Sequence, residues 1–179
     1  QVGLVRQQWW LDTIDGIYAA RTPDHPVAQA LVAAIAKGEL PKHALHNLIS
    51  AREFDLFDDP MPSLADLEGY LGETSSSLIQ MAALILGKGA AEAAGLAGVA
   101  FGLAGVLRLQ KTRYLPRDMV QDLGEKQTIT HLCAHARKRL KEAQAIQGSI
   151  PDSAMPAFLP VSLTKLYLSR IERGGTLEV

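Results

Sequence analysis

The sequence predicts an all-α protein, and three observations lead there. No segment sustains the period-2 alternation of a strand, and Val and Ile are scattered. Apolar residues instead recur at helical spacing along most of the chain. Hydrophobic residues make up 47% of the chain and aromatics only 6%, so Ala and Leu, both strong helix formers, fill the interior.

The elements follow in order. Gly3–Ala20 puts Val5, Trp9, Ile14 and Ile17 near one face, and the Thr22-Pro23 turn ends it. Pro26–Lys37 has Pro at its first position and Gly38 as a stop. Pro41–Phe57 is closed by Asp58-Asp59-Pro60-Met61-Pro62. Ser63 opens a long helix, with Asp66 completing a variant capping box. Apolar or small residues at 64, 67, 71, 74, 78, 81 and 85 predict a packing seam along it, and Gly87-Lys88-Gly89 breaks it. Ala90–Leu109 is the central helix. Gly95, Gly98, Gly102 and Gly105 line one side of it. Glycine costs about 1 kcal/mol against alanine inside a helix. Four in line therefore imply either close approach of a neighbouring helix or clearance for a long apolar ligand. Pro116 opens a short helix, Gly124–Gln147 forms another, Pro151–Pro160 reads as a proline-punctuated loop, and Val161–Arg173 is the last helix. The chain reads as one domain over 1–179, with no linker or repeat.

Eighteen basic and nineteen acidic residues leave a formal charge of −1, which argues against nucleic acid as a partner. One cysteine, Cys133, excludes an internal disulfide and suggests a reducing compartment. The longest uncharged apolar run, Ala93–Leu107, has fifteen residues. A membrane span usually needs about 18, so no transmembrane segment is expected. No signal peptide is expected, and no Ser-His-Asp set, P-loop or dinucleotide fingerprint is seen.

The stretch "GVLRLQKTRYLPRDM" gathers Arg108, Lys111 and Arg113 beside the apolar helix. Arg108 and Arg113 could bind a phosphate or an anionic headgroup, or pair with helix C-terminal carbonyls and surface acids. Asp118 and Asp122 are spaced as metal ligands, yet they sit where a helix N-terminus favours acids. His131 and His135 flank Cys133, but zinc would need more ligands on that side. Thr74-Ser75-Ser76-Ser77 can bend a helix by bonding back to carbonyls or can line a polar pocket, Ser76 among them. Arg137-Lys138-Arg139 with Lys141 reads as a solvated face or an anionic-lipid contact. Trp9-Trp10 reads as half core, half groove, or as a partner surface.

Three stretches carry a family resemblance. "REFDLFDDPMPSLADLEGYLGETSSSLIQMAALILG", "AAGLAGVAFGLAGVLR" and "RYLPRDM" occur in the order seen in the squalene/phytoene synthase family. Their span resembles that family over most of Gly3–Val120. The opening "QVGLVRQQWWLDTIDGIY" resembles most a divergent branch that includes the mitochondrial complex I assembly factor and its bacterial relatives. The resemblance implies a prenyl-synthase-like helical bundle around a central cavity. Active members join two prenyl diphosphates head to head, with Mg²⁺ held by two Asp-rich motifs, basic residues clamping the diphosphate, and an apolar cavity shielding the allylic cation.

The chain departs from that pattern where the metal would be held. Arg108 is followed by Leu109, Gln110, Lys111 and Thr112, with no carboxylate before Tyr-Leu-Pro, and this interval is several residues shorter than is usual for the family. The first Asp-rich helix would fall upstream of Gln1. By resemblance Asp55 and Tyr70 match the family's Asp and Tyr, Tyr114 belongs to the Tyr-Leu-Pro turn, and Arg52 lies one turn before Asp55. The expectation is therefore a synthase-like protein without recognisable metal motifs. Arg108, Arg113, Tyr114, Arg52, Asp55 and Tyr70 are its ligand or anion candidates. Gly95, Gly98, Gly102, Gly105 and Ser76 are its cavity-lining candidates. No catalytic or metal residue is assigned and no cofactor is expected. The expected roles are binding of an isoprenoid or lipid, or assembly of a respiratory complex with a protein partner at a membrane. The expected place is the cytoplasm or the inner-membrane periphery, on the matrix side in a eukaryote. The competing expectation is an active Mg²⁺-dependent prenyl diphosphate transferase whose Asp motifs lie outside this sequence, and a third is an interaction module with a collapsed cavity.

Overall fold

The computed structural model describes residues 2–109 and 111–174. The residues described form helices and turns, with no strand among them. Gln110, in the interval the resemblance implies to be short, lies outside the described residues.

The helices are α1 (Val2–Tyr18), α2 (Pro26–Gly38), α3 (Lys42–Ala51), α4 (Leu64–Leu71), α5 (Ser77–Leu86), α6 (Ala91–Arg108), α7 (Arg117–Leu123), α8 (Glu125–Ala145) and α9 (Thr164–Glu172). α6 is the axis. It packs against α8, α5 and α9, and its Ala94, Ala97, Ala100, Leu103 and Ala104 are buried. Small side chains let the helices approach closely, which is what the Ala-rich, aromatic-poor composition supplies. One core joins Leu67, Leu71, Leu103, Leu132, Ala136 and Leu168 from α4, α6, α8 and α9. A second, around Ile14, Leu40, Leu45 and Met81, ties α1 to α3 on the other side of α5.

Several local expectations are corrected. The helix from Ser63 is not continuous: Gly72–Ser76 forms a π turn between α4 and α5. Thr74 donates its hydroxyl to the Tyr70 carbonyl at 2.6 Å, the back-bonding that mid-helix hydroxyls invite. A π turn inserts a residue into the helical register. The expected seam position Leu78 is consequently 48% exposed, and its neighbour Ile79, at 5%, takes the core place. The segment expected as a loop is a 3₁₀ strap, Asp152–Leu163, with Pro156 and Pro160 inside it. α3 ends at Ala51, and the chain runs on as a 3₁₀ turn, Arg52–Leu56. Gly38 is the last residue of α2 rather than the residue after it. The left-handed turn falls on Glu39, φ 48°, whose N–H bonds to the Ile35 carbonyl. A Cβ at Gly38 would meet Ile85 Cγ1 at 2.8 Å, so packing explains that glycine. In α1, Ile14 is buried, but Val5 and Trp9 are exposed because α1 packs on α3 from its other side.

The Ser63 cap does form as expected, accepting the Asp66 N–H at 3.2 Å. α6 is also long and apolar enough to cross a membrane by length and composition, and 56% of that stretch is buried inside the protein. Its apolarity therefore has an internal use.

Candidate functional site

The loop before α4 is held by backbone pairing to the stretch before α7. Met61 N–H donates to the Arg113 carbonyl at 2.7 Å, and Arg117 N–H donates to the Met61 carbonyl at 2.8 Å. This pairing lays Arg113 and Tyr114 against the 3₁₀ turn that carries Arg52, Phe54 and Asp55. Tyr70 of α4 completes the group.

Asp55 is the centre. Tyr114 donates its hydroxyl to Oδ1 at 2.7 Å, and Tyr70 donates to Oδ1 at 2.9 Å. Arg52 Nη1 donates to Oδ2 at 3.1 Å, and Arg113 Nη2 reaches Oδ1 at 3.4 Å. Arg113 is further occupied: Nη1 donates to the Phe57 carbonyl, Nη2 donates to the Tyr114 hydroxyl at 3.1 Å, and its guanidinium lies 5.4 Å from the Phe54 ring centre. Phe54, Tyr70 and Tyr114 stand with ring centres 5.7 to 5.9 Å apart. Burial pushes the Asp55 carboxyl up. The hydrogen bonds from Tyr114, Arg52 and Tyr70 outweigh it and hold the group below the usual carboxylate range. Burial, and then the Asp55 carboxylate, push the Tyr70 hydroxyl far above an ordinary phenol. Five of the six anion candidates thus meet in one cluster, around a carboxylate of their own.

Arg108 lies elsewhere. Its guanidinium stacks 5.0 Å from the Tyr167 ring centre, and Nε is buried without a hydrogen-bond partner among the described residues. Beside it a pocket of about 290 Å³ is lined by Leu107, Lys111, Leu115, Ile129 and Ile171, with Glu125 at its edge. The three cations that precede the Tyr-Leu-Pro turn therefore divide, with Arg108 and Lys111 on this pocket and Arg113 on Asp55.

The glycines divide too. A Cβ on Gly98 would lie 2.3 Å from Ser76 Cα, and one on Gly102 would lie 2.7 Å from Leu71 Cδ2. These two positions serve helix approach, and Ser76 locks it by donating to the Gly95 carbonyl at 2.8 Å. A Cβ on Gly105 would meet nothing within 4 Å. Gly95 and Ser76 border a groove of about 440 Å³ between α3, the π turn, α5 and α6, which His43, Asn47, Glu73 and Gln80 also line.

Among the described residues no set of acids is gathered that could hold Mg²⁺. Mg²⁺ takes near-octahedral oxygen ligands, commonly one or two carboxylates beside phosphate oxygens. Glu73 is the sole carboxylate on the groove, and no three His, Cys, Asp or Glu side chains converge among the described residues. Asp118 accepts the Met119 N–H at 2.7 Å, as an acid opening a helix does. His135 pairs with Glu68 at 2.8 Å while His131 is exposed, and no set of zinc ligands gathers there among the described residues; burial pushes the Cys133 thiol up to about 11. The basic run on α8 is met by acids: Arg137 by Glu172 at 2.7 Å, and Arg139 by Glu68 and Glu142. Trp9 and Trp10 pack edge-to-face on each other and on His25. Sequence reasoning missed Phe54 and the Met61 pairing; the Pro60-Met61-Pro62 spacing was the available signal.

Three comparisons with known proteins give a family, a set of relatives and a fold. The squalene/phytoene synthase family profile matches residues 1–179. The chain is 31% identical to bovine "NADH dehydrogenase (ubiquinone) complex I, assembly factor 6" over 96% of its own length, and 30% identical to the human protein. It is 25% identical to the homolog from Dictyostelium discoideum, over 97% of its length. It spans 59% of the bovine and human relatives and 56% of the Dictyostelium one. Its fold matches squalene synthase HpnC from Alicyclobacillus acidocaldarius with a TM-score of 0.82 at 17% identity, over 96% of this chain and 74% of that one. The chain belongs to the squalene/phytoene synthase family.

Proposed function

We propose that this chain is a non-catalytic member of its family that helps assemble a respiratory complex, working at the inner-membrane periphery. One chemical observation carries the reading. Where an active synthase presents carboxylates to Mg²⁺, the stretch from Arg108 to Tyr114 offers none, and the nearby Asp55 is saturated by four donors of its own chain. A carboxylate so engaged cannot hold a metal without breaking that cluster. The relatives named as complex I assembly factors supply the direction of the assembly role, since function resides in sites rather than folds. An isoprenoid or lipid ligand remains compatible with the groove beside Gly95 and with the Arg108 pocket.

Affinity capture of the tagged protein from a membrane extract of its own host tests the assembly role. Respiratory-complex subunits enriched over a control bait are expected. Their absence, with normal levels of the assembled complex in cells depleted of the protein, would count against it. An active transferase would instead release pyrophosphate from farnesyl or geranylgeranyl diphosphate with Mg²⁺.

A further inference from the structure

The 3₁₀ strap and α9 together present an exposed apolar surface with basic residues and no acid along it. From Ser153 to Ile171 the chain runs nineteen residues without an acid, and its two charges are Lys165 and Arg170. Along it Met155, Leu159, Leu163 and Leu166 are 37%, 69%, 45% and 48% exposed. Leu166 and Arg170 stand four residues apart on one side of α9, and Leu163 is the strap residue that leads directly into that helix. Pro156 and Pro160 lack an N–H, so the exposed turn of the strap has fewer backbone donors to strip of water.

Beneath this ridge, α8 and the strap enclose a groove of about 360 Å³. Leu140, Ile150, Phe158 and Val161 line it, Met155 and Leu159 belong to both groove and ridge, and Lys165 is the sole charged group on its wall. An apolar slot with one cation at its margin matches a hydrocarbon chain carrying a phosphate.

We propose that the strap and α9 form a docking face for an anionic phospholipid surface. Met155, Leu159, Leu163 and Leu166 enter the acyl boundary, and Lys165 and Arg170 meet headgroup phosphates. A lipid surface fits this face better than a protein does. Protein hot spots favour Trp, Tyr and Arg and disfavour Leu, whereas this ridge is mostly leucine, with a lysine at its middle and Arg170 at its end. The α1 face, with Trp9 exposed between Arg6 and Asp12, has the opposite character. Interfacial segments combine an apolar ridge with flanking cations in this way. The inference names the surface behind the membrane-side part of the reading above. It is measured without any respiratory-complex protein, so its failure leaves the assembly role untouched.

Flotation with vesicles of phosphatidylcholine alone, and of phosphatidylcholine with phosphatidylglycerol, tests it. Binding to the mixed vesicles that falls with added salt is expected. Lys165→Glu with Arg170→Glu should weaken it about tenfold, and Leu159→Ser with Leu163→Ser and Leu166→Ser at least as much. All these side chains are exposed, so thermal midpoints close to wild type are expected, and the charge-reversal variant gives an answer even if the serine variant unfolds. Val5→Ser with Trp9→Ser on the α1 face should leave vesicle binding unchanged. No flotation with either vesicle would overturn the proposal, as would binding indifferent to both strap variants. Strap variants that lose only a protein partner, while wild type ignores lipid, would make the face a protein interface and overturn it equally.

Discussion

Arg108 and Arg113 stand five residues apart in the chain and live in opposite surroundings. Arg113 is enclosed: it meets Asp55, the Phe57 carbonyl, the Tyr114 hydroxyl and the Phe54 ring. Arg108 rests on Tyr167 beside an open pocket; its Nε, like that of Arg113, is buried without a hydrogen-bond partner among the described residues, so the two differ in what their guanidinium ends meet. The difference teaches how neighbouring cations of one stretch can be divided. One is tied into a hydrogen-bonded cluster of the fold, and the other borders a pocket.

Breaking the enclosed side should have the largest effect. Asp55→Ala leaves Arg52, Arg113, Tyr70 and Tyr114 facing one another without their acceptor, and a loss of about 3 kcal/mol is expected in chemical denaturation. A loss below about 1 kcal/mol would show that the cluster is solvated rather than structural. Gly98→Ala tests the axis on which both arginines are mounted. Its Cβ would strike Ser76 backbone, and a loss of about 2 kcal/mol is expected. Gly105→Ala, in open space on the same helix, should instead stabilise by up to about 1 kcal/mol.

Acid should weaken the enclosed side, together with the Glu68 pairing between α4 and α8. Asp55 and Glu68 both titrate below their ordinary range. Burial raises each, but hydrogen bonds lower each further, from Tyr114, Arg52 and Tyr70 at Asp55 and from His135 and Arg139 at Glu68. A depressed carboxylate contributes stability that is fully present above its unfolded value, about 4, and fades as pH falls through its folded value. Unfolding free energy should therefore drop below about pH 4. In Asp55→Asn that drop should be shallower, and an unchanged slope would remove Asp55 from the account. Arg108→Ala should change stability by less than about 0.5 kcal/mol. It should nevertheless abolish any thermal shift that inorganic pyrophosphate gives the wild type, and a shift that survives would place the anion elsewhere.

This contrast was only half legible in the sequence. The all-helical fold was, because helical spacing and an Ala-rich interior leave few other ways to pack. The partnership of Arg52 with Asp55 was readable as well, since one helical turn separates them. The division of Arg108 from Arg113 was not. It depends on Met61 pairing with Arg113 and Arg117 across more than fifty residues, which no local pattern encodes. The shift from Leu78 to Ile79 was hidden for a related reason. A π turn is stabilised by its tertiary setting, here Ser76 against α6, and hydroxyl residues at 74–77 signal a bend without giving its register. The strap misled because prolines usually mark loops, whereas these two sit inside a 3₁₀ run.

The central claim is that the synthase fold has been kept and its metal chemistry has not. Pyrophosphate release from farnesyl diphosphate, measured with and without Mg²⁺ on the purified protein, addresses it most directly. The account predicts a rate indistinguishable from the protein-free blank under both conditions. Mg²⁺-dependent release that scales with protein concentration would contradict it.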